Sequence, residues 1–130
     1  MNRLLIVLIA ALLLSSCAIT PNIPDSMSAA EIIQRGQEAM DRNNYRIASH
    51  YYQALYDRNR TLIDLVITAE YHIAFIHYKQ KKYELAKEEL NAVLAYYNNP
   101  DQELLPQHFK RLAQIVLNQI DEREKRGFFF

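Results

Sequence analysis

The chain has 130 residues, with 15 lysines and arginines against 15 aspartates and glutamates, and a single cysteine. That balance argues against nucleic acid as a partner, since such binding rests on many uncompensated basic contacts, and against a polybasic attachment to anionic lipid. One cysteine cannot form a disulfide within the chain, and two glycines with four prolines are too few for the turns of a sheet protein.

Asn2-Arg3 give a short positive start, and residues 4–14 form an unbroken apolar run that is too short to span a bilayer as a stable helix. Ser15-Ser16-Cys17 follows at once and reads as the small-residue end of a signal peptide. With Leu14 three places before the cysteine and Ser16 one place before it, residues 1–16 resemble the signal of bacterial lipoproteins. The resemblance implies cleavage before Cys17 and acylation of that residue, which holds the protein on a membrane because two or more acyl chains exceed the marginal grip of one. It also implies the outer membrane of a Gram-negative envelope, facing the periplasm, because Ala18 is not the aspartate typical of inner-membrane retention. Residues 18–28 carry Pro21 and Pro24 and show no helical period, so residues 17–28 are expected to be the lipidated cysteine and its tether. Residues 29–130 are then a single domain.

Ser28-Ala29-Ala30-Glu31 has the form of a capping box and predicts a first helix carrying Ile32, Ile33, Ala39 and Met40. The polar break Asp41-Arg42-Asn43-Asn44 predicts its end. A second helix is expected from Tyr45, with Ala48, Tyr51, Tyr52, Leu55 and Tyr56 as an apolar stripe. A third should begin around Thr61 to Asp64 and run to the turn at Gln80-Lys81-Lys82, and a fourth should run from Tyr83 until Asn98-Asn99-Pro100 stops it. The last is predicted over roughly residues 102–126, with Pro106 in or near its first turn.

Two stretches repeat at an offset of 38 residues: Asn44-Tyr45-Arg46-Ile47-Ala48 lies over Lys82-Tyr83-Glu84-Leu85-Ala86, and Gly36 over Ala74. Small residues at 36 and 74, aromatics at 45 and 83 and alanines at 48 and 86 resemble the tetratricopeptide repeat over about residues 29–98. The offset exceeds the repeat's usual 34, and Ile32 and Glu70 stand where tryptophan is common. The expected fold is therefore all-α: antiparallel helical hairpins of tetratricopeptide type, about two repeats, plus a C-terminal capping helix.

Nothing along the chain has the spacing of a catalytic or metal site. His72 and His77 are five apart, on different sides of a helix, whereas zinc pairs sit four apart beside a glutamate. His50 and His108 have no acidic or sulfur neighbour in sequence. Glu88-Glu89 and Asp121-Glu122 diverge on a helix, and neither a glycine-rich phosphate loop nor a Gly-x-Ser-x-Gly turn occurs. The expectation is a protein that is not an enzyme and holds no metal or cofactor.

The tetratricopeptide resemblance implies a partner groove lined by the first helix of each hairpin, here Ala30, Ile33, Gln37, Met40 and Asp41, then Thr68, Tyr71, Phe75, Tyr78 and Lys79. Tyr71, Phe75 and Tyr78 share one helix face. They suit a partly exposed surface for a protein segment, or a core buried by the last helix. Phe128 to Phe130 after Gly127 are a membrane or partner contact, or a disordered end. Lipid anchor, tether and hairpins together resemble BamD-type lipoproteins of the outer-membrane β-barrel assembly complex, with about half that family's repeats. The resemblance implies an envelope interaction scaffold whose partner is an envelope protein such as a β-barrel assembly component. Alternatives are a pilotin-like escort of a secretion or pilus subunit, or a periplasmic binder of a small apolar ligand.

Overall fold

The computed structural model describes residues 19–128, Phe128 by its backbone alone. The signal sequence, the acylation at Cys17 and the side chains of Phe128 to Phe130 therefore lie outside the described residues. Within them the chain is all-helical: α1 Ala29–Asp41, α2 Tyr45–Arg58, α3 Ile63–Lys79, α4 Tyr83–Ala95 and α5 Gln107–Phe128, with a short 3-10 turn at Gln102–Leu104.

The Ser28 capping box starts α1: the Glu31 N–H donates to Ser28 Oγ at 3.3 Å and the Ser28 N–H donates to Glu31 Oε2 at 2.9 Å. The Ser28 N–H, and the Ser28 hydroxyl at 2.7 Å, both donate to Glu31 Oε2 and hold that carboxyl below its ordinary pKa. Asn44 caps α2 by accepting the Ile47 N–H at 3.3 Å. The two hairpin turns share one geometry. Asn43 and Lys81 both take positive φ, 56° and 62°. The N–H groups of Asn43 and Asn44 donate to Met40 and Ala39, and those of Lys81 and Lys82 donate to Tyr78 and His77. Each is a Schellman ending with a left-handed residue after the helix, so the sequence offset of 38 recurs as a backbone repeat.

α1 packs on α2, α3 on α2 and α4, and α5 on α4 and α3. Lys87 early in α4 reaches Glu124 late in α5, whereas Tyr71 meets Phe109 and, further along, Tyr78 meets Gln119. α5 thus runs antiparallel to α4 and alongside α3, in the place of the first helix of a third hairpin. Small residues mark the helix crossings, with Ala48, Ala74, Ala86 and Ala113 fully buried. α3 is buried nearly all round. Ala69 and Ile76 join the core of the first hairpin with Ile32, Tyr52 and Leu55, while Ile67, Tyr71 and Ala74 join a second core with Leu90, Val93, Phe109 and Ile120. Each of the buried isoleucine, leucine, valine and phenylalanine side chains contributes about 1.5–3 kcal/mol by leaving water, the alanines less.

Two expectations are corrected. The last helix does not begin near residue 102: Leu105 is extended at φ −84°, ψ 157°, and α5 starts only after Pro106. The proline ring clashes with a helical residue before it, which forces this break. The tether is also not free over its whole length. Ile23 is buried in the first core, Arg58 donates to the carbonyls of Ile23 and Pro24 at 2.6 and 2.9 Å, and the His50 Nε2–H donates to Pro21 O at 2.9 Å. Residues 21–27 form a strap laid along α2.

Candidate functional site

A cleft of about 340 Å³ lies between α1 and α3. α1 supplies Gln37, Met40 and Asp41, α3 supplies Tyr71, His72 and Phe75, and Leu112 of α5 closes one side. Tyr52 of α2 lies at the bottom.

Tyr52 reaches that place because position 36 has no side chain. A β-carbon on Gly36 would stand 2.7 Å from Cζ of the Tyr52 ring, closer than packed carbons approach. The ring stacks on His72 with centroids 4.4 Å apart and planes 9° from parallel. Its hydroxyl is buried and has no hydrogen-bond partner among the described residues. Burial, with the Asp41 carboxylate adding to it, pushes the phenol well above its ordinary pKa, so it stays protonated and keeps a donor. Burial also pushes the His72 imidazole down to about 4, with His108 as the lesser cause. His72 is therefore neutral near pH 7, set edge-on to Tyr71 and Phe109. The site is an aromatic cleft with two uncharged polar groups at its base and polar Gln37 and Asp41 at its rim.

The expected groove residues divide. Gln37, Met40, Asp41, Tyr71 and Phe75 do meet in the cleft. Tyr71 is not surface: it is 4% exposed, packed on Phe109 at 5.1 Å, and burial raises its phenol to about 12. As a partly exposed face, the stripe is thus limited to Phe75 and Tyr78, because α5 covers its first member. Phe75 is half-buried between Tyr71 and Tyr78. Tyr78 donates to Gln119 Oε1 of α5 at 3.1 Å and belongs, with exposed Lys79, to a separate small hollow beside Tyr83 and Arg123. Ile33 packs against the core of the first hairpin and is not part of the cleft. Ala30 is exposed, and the Thr68 hydroxyl is spent on the Asp64 carbonyl at 2.7 Å.

Sequence reasoning missed Tyr52, His72 and Leu112 as cleft residues. The pairing of Gly36 with an aromatic on the next helix was the available signal for Tyr52. Nothing local marks Leu112, whose place depends on how α5 docks. Of the other histidines, His50 is tied to the strap, and His77 Nδ1 lies 2.6 Å from Glu89 across the α3–α4 contact. Among the described residues, no group of three or more histidine, cysteine, aspartate or glutamate side chains is placed to hold a metal, and no helix is long and apolar enough to cross a membrane.

No family model matches the chain, and no solved structure matches it. It is similar to an uncharacterized protein of Treponema pallidum (strain Nichols), 32% identical over an alignment of 116 residues that covers 87% of this chain. The match covers 46% of that protein, so the chain spans about half the length of the curated relative it matches.

Proposed function

We propose that the protein is a lipid-anchored envelope scaffold of tetratricopeptide type, and that it binds an extended or helical segment of another envelope protein in the cleft between α1 and α3. The observation that carries this reading is the convergence of Gln37 and Met40 with Phe75 in one cleft, since these are the groove positions of two successive hairpins. Apolar walls with a few polar groups at rim and base suit an anchoring side chain whose own backbone or polar atom meets Gln37 or Asp41. Acylation at Cys17 supplies the anchor, on the outer membrane and facing the periplasm, and the role is binding rather than catalysis. A barrel-assembly component is the partner that the BamD-type resemblance suggests.

A photo-reactive amino acid at position 37, in cells making the full chain, tests the reading. The expected result is a crosslink to a defined envelope protein that disappears when Met40→Glu is added. Crosslinks unchanged by Met40→Glu contradict it.

A second reading, a small apolar ligand, is favoured by the cleft volume of about 340 Å³, which lies within the small-molecule range. Native mass spectrometry of the purified protein distinguishes it by a bound mass lost in the Met40→Glu variant.

A further inference from the structure

The strap fixes where the chain leaves the folded domain. His50, Ala54 and Arg58 lie four residues apart in succession, on one line along α2, and together with residues 20–23 they border the seam between strap and helix. Tyr52, at the base of the cleft, is two residues from Ala54 and so points to nearly the opposite side of α2 at about 100° per residue. Strap and cleft therefore occupy opposite sides of the domain.

The first pinned residue is Pro21, whose carbonyl accepts from His50. It lies four positions from Cys17, a reach of at most about 14 Å even when fully extended. A tether free from Cys17 to Ser28 would reach about 40 Å and let the domain turn any face to the bilayer. Ile19, 87% exposed, lies within the short segment and offers an apolar side chain to the interface.

We infer that the strap side of α2 is the membrane-proximal surface of the anchored protein, its partner a lipid bilayer surface, and that the cleft opens away from the bilayer. This rests on the proposed acylation of Cys17. The strap is then an orienting device, presenting the cleft to soluble or protruding segments of a partner rather than to lipid.

The test uses the acylated full chain in vesicles of phosphatidylethanolamine and phosphatidylglycerol that carry a nitroxide on some headgroups. Acylation blocks Cys17, so single cysteines introduced as Asp57→Cys on the strap side and Gln37→Cys at the cleft take a fluorophore selectively. Quenching is expected to be several-fold stronger at position 57 than at position 37. A long glycine-serine spacer between Ala18 and Ile19 should abolish the difference. Equal quenching without the spacer, or stronger quenching at 37, overturns the inference while leaving the anchor intact. Mass spectrometry of the same sample reads the anchor separately: a cleaved chain without acyl mass removes both the proposed anchoring and this orientation.

Discussion

Gly36 and Tyr52 are a complementary pair: the ring of one occupies the volume that a side chain on the other would need, with only 2.7 Å between a β-carbon at 36 and Cζ of Tyr52. The pair joins α1 to α2 and sets the base of the cleft in the same contact. Gly36→Ala is expected to lower stability by about 1–3 kcal/mol, because overpacking outweighs the roughly 1 kcal/mol that alanine gains in helix propensity. Urea denaturation of the variant beside the natural protein measures this, and a more stable variant would mean that the ring yields freely.

Lys81 repeats the left-handed turn that Asn43 makes 38 residues earlier, but lysine lacks the local hydrogen bonding that lets asparagine tolerate it. Lys81→Gly should therefore raise stability by about 1 kcal/mol, seen as a higher melting temperature. Asn43→Gly should change little.

Ala48 and Ala86 are fully buried at equivalent places in the two hairpins. Enlarging either to leucine should cost about 1–3 kcal/mol in a thermal melt. A cost at one site alone would mean that the two hairpins are packed differently despite their matching turns.

His72 carries a pH signature. Its folded pKa is about 4, below the ordinary 6.5, so the folded state binds fewer protons than the unfolded one as the medium is acidified. The sign follows: stability is full above about pH 6.5 and declines as pH falls toward 4, by up to about 3 kcal/mol from this group. His72→Phe keeps an aromatic stacked on Tyr52 and has nothing to protonate. Urea midpoints of the two proteins, followed from pH 7 to pH 4.5, should diverge, with the histidine form losing more.

The helices were legible because their signals are local. A capping box at Ser28, the asparagine cap at 44 and apolar residues at helical spacing all act within a few residues of themselves. The hairpin pairing was legible because the turn sequence recurs. The break before Pro106 was half-legible: the proline marks a boundary, but not on which side the helix lies. The strap was not legible, since Pro21 is held by His50 and Ile23 by Arg58, 29 and 35 positions along the chain. The cleft was partly legible. Gln37, Met40 and Phe75 follow from the repeat register, whereas the burial of Tyr71 depends on α5, whose docking no local pattern encodes.

The central claim, that the cleft binds a protein segment, is tested most directly by separating Phe75 from Tyr71. Tyr71→Ala removes a buried aromatic and should cost about 3–5 kcal/mol, so it reports on the fold. The double variant Met40→Ser with Phe75→Ser alters the cleft walls, where both side chains are only half-buried. Circular dichroism melting is run beside quantitative recovery of the envelope protein captured at position 37. The account predicts that the double variant melts lower than the natural protein but above Tyr71→Ala, stays folded at the temperature of the capture, and loses most of the captured partner. A double variant that keeps its fold and its partner would contradict it.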